Sequence, residues 1–226
     1  MSWIVQIDTA LETASVSIAF DGKLVAEKMN TTQKDHASFL QPSIVELLAI
    51  ATISITQIDA IAVVNGPGSY TGLRVGMASA KGLCYALNKP LITIGSLQIM
   101  AAAAIEQVGK NDDDVLFCPM IDARRMEVFT AVYDQHMNIL TAPCALEITK
   151  DLFVNWMLKK RVYFFGNGAP KWKINCSNEN AHFITLENNS MIVSTLAYQN
   201  FKRKEFASLA YSEPAYIKDF FSPLIS

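Results

Sequence analysis

Apolar and polar positions along this chain alternate with two periods, and their order lays out a mixed α/β protein. Residues 3–7 are a short apolar run closed by Asp8-Thr9, the pattern of a buried strand ending on a polar turn. Residues 15–20 alternate polar and apolar with period two, as a half-buried strand does. Asp21-Gly22 follows as a hairpin turn, because glycine tolerates the positive φ needed there, and residues 23–27 continue as a third strand. The opening is a β-meander. Residues 36–51 switch to helical spacing, with Phe39, Leu40, Ile44, Leu47 and Leu48 on one face, and Pro42 is expected to kink or reset that helix. Residues 58–64 read as a buried strand, 73–87 as a helix rich in small residues that Asn88-Lys89-Pro90 breaks, and 91–94 as a strand. Ser96 is placed to cap a helix reaching about Glu106.

The acidic, turn-rich stretch 109–114 is the best boundary, dividing the chain into lobes 1–108 and 109–226. After it, residues 115–121 form a strand closing on Asp122, and 128–133 form another ending at Asp134. Asp8 to Asp21 spans thirteen residues and Asp122 to Asp134 twelve, each an apolar strand, Asp, a turn, an alternating strand and Asp again. Two related lobes would explain the likeness; chance recurrence of a common hairpin is the alternative. Beyond it, 150–158 look helical, 161–165 form a strand before Gly166-Asn167-Gly168, and 191–203 form a helix. Residues 213–218 read as a terminal strand or extended tail.

Composition narrows the function classes. About half of the 226 residues are apolar, enough for a sizeable core, and the net charge of −2 disfavours unaided nucleic-acid binding. Cys84, Cys118, Cys144 and Cys176 form no CxxC pair and read as small buried hydrophobes of a reducing compartment. The amino terminus enters a strand directly, and no apolar run reaches the length of a membrane span, so the expected location is cytoplasmic.

Candidate chemistry centres on the strand ends. The loop Gly66-Pro67-Gly68-Ser69-Tyr70-Thr71-Gly72 enters a helix, where free amides and the positive dipole end suit an anion. It fits neither the Walker nor the dinucleotide fingerprint, so a tight turn with close helix packing is the favoured alternative. Asp8 and Asp122 end strands, where paired carboxylates could hold hydrated magnesium, although Asp is also an ordinary turn former. His36, His136 and His182 lack metal-ligand spacing; His36 is expected exposed at a helix start and His182 in a surface loop. No GxSxG elbow is present, and Ser69 has no histidine that can be nominated as its base. The basic runs 159–161 and 202–204 read as solvated faces.

Taken in order, Ile7-Asp8-Thr9, Asp35-His36, the run GPGSYTGLRVG at 66–76, Ile121-Asp122-Ala123-Arg124 with Glu127-Val128, and Glu213-Pro214-Ala215-Tyr216 resemble the TsaB (YeaZ) family nearly end to end. The resemblance implies a two-lobed actin-like ATPase fold of ribonuclease H-like lobes, each a mixed sheet flanked by helices. It implies a non-catalytic role in threonylcarbamoyl-adenosine modification of tRNA, through binding the catalytic subunit TsaD with the ATPase TsaE in a larger assembly. Self-association as a homodimer without TsaD, tRNA contact only through the complex and no membrane association are implied too. The partner surface would lie on two helices, through His36, Phe39, Leu40, Ser43 and Leu47 on the first. Tyr70, Leu73, Arg74, Gly76, Met77 and Ala80 would serve on the second, where Gly72, Gly76 and Ala80 make a ridge that another helix could approach. The alternative is that this ridge packs within its own lobe. Asp8, Thr9, Gly66, Gly68, Ser69, Asp122 and Arg124 would be a vestigial nucleotide or phosphate site. No cofactor or metal is expected, with ATP or ADP and magnesium at the interlobe cleft or a complex interface kept open. TsaD carries HxxxH where this chain has Ser96-Leu97-Gln98-Ile99-Met100, and Ser and Met are poor replacements for two imidazole ligands. The competing readings are a nucleotide-dependent sugar-kinase-like enzyme using Asp8 and Asp122, and a glycoprotease-like metallopeptidase.

Overall fold

The computed structural model describes residues 1–32, 35–109, 114–186 and 190–218. Two five-stranded mixed sheets organise them. The first contains β1 (Trp3–Asp8), β2 (Ala14–Phe20), β3 (Lys23–Asn30), β4 (Ala60–Gly66) and β5 (Leu91–Gly95), in the order β3-β2-β1-β4-β5. The meander β1–β3 is antiparallel, whereas β4 and β5 join parallel to β1 through helical crossovers. The second sheet contains β6 (Val115–Asp122), β7 (Glu127–Asp134), β8 (Ile139–Glu147), β9 (Arg161–Phe165) and β10 (Ala181–Phe183). Its order, β8-β7-β6-β9-β10, repeats the first sheet strand for strand, with antiparallel and parallel pairings in the same places. The Asp-ended meanders seen in the sequence are the matching openings of these two sheets.

Period-two alternation sends the two faces of the first sheet into different cores. Val5, Ile7, Val16, Ile18, Ile61 and Val63 pack against α1 (His36–Ile50) and α2 (Tyr70–Leu87). Ile4, Ala60, Ala62, Val64, Ile92 and Ile94 face α3 (Ser96–Val108) and α6 (Ser190–Arg203). The second sheet buries Leu116, Cys118, Met120, Phe164 and Trp172 with the short helices α4 (Val154–Met157) and α5 (Ala169–Lys173). Its opposite face, with Phe117, Ile121, Tyr133 and Phe165, packs on α3. Helix α3 is therefore apolar on two sides: Ile99 enters the first core, and Leu97, Met100, Ala104 and Ile105 enter the second. Full burial of each large side chain contributes about 1.5–3 kcal/mol, so α3 holds the sheets together.

The chain does not divide strictly by halves. Helix α6, late in the sequence, packs on the first sheet, where Ser194 and Ser17 both donate to the buried Gln6 side-chain oxygen at 2.9 and 2.7 Å. The following segment bridges Ala207 to Leu91 on the β5 edge. Residues 110–113 of the expected boundary lie outside the described residues.

Several sequence expectations change. Helix α1 runs unbroken through Pro42, which is exposed, so the carbonyl it leaves unpaired can be solvated. Helix α2 begins at Tyr70, earlier than expected, because Ser69 caps it by accepting from the Gly72 amide at 3.3 Å. Ser96 is the first residue of α3 rather than its cap; Gly95 holds the cap position without a side-chain bond. Residues 150–158 are mostly turns around α4, and His182 lies in β10 against the Tyr163 ring. His36 is buried, with its Nε2 3.2 Å from the Glu12 carbonyl. Strand β8 and helix α5 carried no recognised periodicity. No helix among the described residues is long and apolar enough to cross a membrane.

Candidate functional site

The turn after β1 and the end of β6 face each other across a cleft of about 590 Å³. One wall consists of Ala10, Leu11, Glu12 and the entry into α2, from Gly68 to Thr71; the other carries Ile121, Asp122, Ala123, Arg124, Phe129 and Asn167. Gly68 is required there, since a Cβ would stand 2.1 Å from the Ala10 carbonyl oxygen. The structure thus brings Gly68, Ser69, Asp122 and Arg124 of the expected phosphate site into one cavity.

Asp8, Thr9 and Gly66 lie elsewhere. Thr9 is fully buried beneath α2, and its hydroxyl donates to the Gly72 carbonyl at 2.7 Å. Gly66 lines a separate recess beside Asn65 and Pro67. Asp8 opens into a neighbouring recess of about 270 Å³ with Glu12, Ser15, Met29 and Ser190. Its Oδ1 accepts from the Ala10 amide at 2.9 Å. Burial pushes the Asp8 carboxyl up to about 6; the Ala10 hydrogen bond pulls the other way, and repulsion from Glu27 adds to the rise.

Asp122 is the electrostatic opposite of Asp8. Burial would raise its pKa, but hydrogen bonds from Lys171 at 2.5 Å and the Arg124 amide at 2.6 Å outweigh it and hold the carboxyl below its ordinary value. Lys171 also donates to the Arg125 carbonyl at 2.7 Å, fastening a turn in which Arg124 and Arg125 have φ of 66° and 49°. Consecutive left-handed non-glycine residues are uncommon and strained. Asn167 completes the turn by accepting from the Asp122 amide at 2.9 Å. The sequence reading missed Lys171 and Asn167. Both follow β9 where the glycine loop follows β4, so the repeat itself was the signal that could have found them.

These positions limit the chemistry. The dipole of α2 and Arg124 favour an anion in the cleft. Asp122 is already neutralised by Lys171, and Asp8 lines a different recess, so the two carboxylates do not converge on a shared cation. Among the described residues no group of three or more His, Cys, Asp or Glu side chains is arranged to hold a metal ion. Ser96 and Met100 are both buried; Met100 packs so closely on Gly166 that a Cβ there would lie 2.4 Å from its methyl carbon.

The proposed partner helices also need correcting. His36, Leu40, Ser43, Leu47, Leu73, Gly76, Met77 and Ala80 are all buried within the chain itself, with Leu40, Leu47, Met77 and Ala80 in one core of the first sheet and Leu73 in the other. The glycine ridge faces inward: a Cβ on Gly76 would sit 2.3 Å from the Thr9 hydroxyl. Phe39 is half-buried, and Tyr70 and Arg74 remain exposed. The outward faces instead present Pro42, Val45 and Ala49 on α1 and Ala78, Gly82, Tyr85 and Ala86 on α2. Among the described residues, nothing beyond the helix's own backbone lies within 4 Å of where a Gly82 Cβ would be.

The family described as "TsaD: tRNA N6-adenosine threonylcarbamoyltransferase" matches residues 24–219, most of the chain. The chain belongs to this family. A relative from Bacillus subtilis (strain 168), named "tRNA threonylcarbamoyladenosine biosynthesis protein TsaB", is 32% identical over 61% of this chain and 57% of its own length. One of the same name from Escherichia coli (strain K12) is 34% identical over 60% of this chain and 56% of its own. The chain therefore spans little more than half the length of these curated relatives. The solved structure of YeaZ from Pseudomonas aeruginosa matches with a TM-score of 0.76 at 24% identity, covering 96% of this chain and all of that one. At that identity the likeness establishes the shared fold.

Proposed function

We propose that the chain is a non-catalytic, cytoplasmic subunit for threonylcarbamoyl-adenosine modification of tRNA, and that it supports a TsaD-type catalytic subunit together with a TsaE-type ATPase. The observation that carries the catalytic half of this reading is α3. Where an HxxxH pair would stand, Ser96 is buried and Met100 fills the core between the sheets. Neither supplies an imidazole, and placing two there would displace packing. The relatives' names supply the pathway.

Docking is assigned to the outward faces of α1 and α2, in place of their buried residues. Val45 is 66% exposed and Tyr85 83%, and Gly82 lets a partner helix approach closely. The same faces would serve self-association when the catalytic subunit is absent. Burying about 800 Å² per partner would suffice for a specific complex. Gly82→Glu tests this: it projects a charge outward from an open position, so the monomer should fold while co-elution with the catalytic subunit weakens at least tenfold. Unchanged co-elution would remove the helix pair from the interface. Reconstituted tRNA modification should require the chain and fall with the same variant.

The cleft is read as a vestige of a nucleotide site, with tRNA reached only through the assembly. Calorimetry with ATP and magnesium should show no tight stoichiometric binding to the isolated chain. Such binding would favour the sugar-kinase-like alternative.

A further inference from the structure

Residues 207–218 run back across the molecule and touch both sheets. At the first sheet, Ala207 bridges Leu91, and Lys81 of α2 donates to the carbonyls of Ala210 and Ser212 at 3.2 and 3.1 Å. Nearer the start of α2, Arg74 donates to the Tyr216 hydroxyl at 3.0 Å, and the Tyr216 ring lies 5.2 Å from that of Tyr70. The Ala215 amide donates to the Asn65 carbonyl at the end of β4, at 2.7 Å. From Lys81 to Tyr70 the helix advances ~16 Å, so the segment follows α2 for much of its length.

Two residues later the segment reaches the other sheet. Lys218 pairs with Glu127 at the start of β7. Ile217 and Ala215 line a recess of about 340 Å³ whose far wall includes Tyr133, Ile139 and Pro143 from the second sheet. Tyr70 and Asp122, on either side of the cleft, each lie within a few residues of an anchor point.

We propose that residues 207–218 are a strap that sets the opening of the interlobe cleft, fixed along α2 and releasable at Lys218–Glu127. The asymmetry follows from the contacts. The α2 end has several hydrogen bonds and a ring contact. The far end depends, among the described residues, on a partly exposed ion pair and on Ile217, and exposed pairs are weak and screened by salt.

Hydrogen–deuterium exchange on the full chain tests the strap, comparing wild type with Lys218→Ala, Tyr216→Phe and their double variant. These changes remove side-chain contacts at the surface and leave both cores intact. The double variant should exchange roughly three- to tenfold faster than wild type at both cleft walls, residues 68–71 and 121–124, as expected for losing contacts of hydrogen-bond strength. Arg74→Gln, which removes the same Tyr216 contact from the α2 side and leaves Lys218–Glu127 in place, should match Tyr216→Phe and accelerate the cleft walls less than the double variant does. Wild type in 1 M salt should approach the Lys218→Ala profile. Acceleration confined to 207–218, or none at all, would overturn the strap.

Discussion

Asp8→Asn should make the protein more stable at neutral pH, and the size of the gain can be worked from the site. The folded carboxyl has a pKa of about 6 against an ordinary 3.8, with burial as the main cause. Well below pH 3.8 the group is protonated in both folded and unfolded chains, and its ionisation costs nothing. Between pH 4 and 6 the unfolded chain releases its proton first, so stability falls as pH rises, and above 6 the full penalty is present. A rise of two units corresponds to about 3 kcal/mol at 1.36 kcal/mol per unit. Asparagine keeps an oxygen to accept from the Ala10 amide, so the turn at the end of β1 should survive. Urea denaturation of both proteins from pH 4 to 8 measures the difference. The curves should narrow to a gap of about 0.5 kcal/mol at pH 4 and separate by up to about 3 kcal/mol at pH 7.5, a midpoint shift of roughly 1 M. A variant equal to or weaker than wild type at pH 7.5, or a constant gap across the range, would refute the reasoning.

Three further outcomes follow from the packing. Gly76→Ala places a methyl 2.3 Å from the Thr9 hydroxyl and should cost about 1–3 kcal/mol in thermal or urea unfolding. Gly82→Ala, in the open middle of α2, should instead stabilise by about 0.5–1 kcal/mol in the same assay, because alanine is the better helix former. Lys171→Ala should let the Asp122 pKa rise in a carboxylate titration by NMR. Since a lowered carboxyl pKa stabilises above pH 4 and loses that contribution as pH falls, the variant's deficit should vanish on acidification. Both partners are partly exposed, so the deficit itself should stay below about 1 kcal/mol.

Much of this fold was legible because its first half states its elements in simple periods. The meander, α2 and the helix break at Asn88-Lys89-Pro90 are all local patterns; Asn88 ends α2 in a left-handed conformation with φ 52°. The weak repeat between Asp8 and Asp122 became a shared strand order once the second sheet was seen. Other features escaped because spacing cannot say which side of a helix faces inward. On α2, Gly76 and Gly82 both look like small-residue openings, yet one lies on Thr9 and the other faces open space. His36 was misplaced for a similar reason: its partner is the Glu12 carbonyl, 24 residues earlier in the chain. Lys171 meets Asp122 across 49 residues, which no local window contains.

The placement of α3 and α6 constrains how the polypeptide can be taken apart. A cut after Val108 would leave the amino-terminal fragment with the bare flank of Leu97, Met100 and Ile105, while the other fragment would carry α6 with no sheet beneath Ile192 and Val193. Each half lends the other a helix. Fragments made separately should be sticky and poorly folded, whereas making them together should let them reassemble.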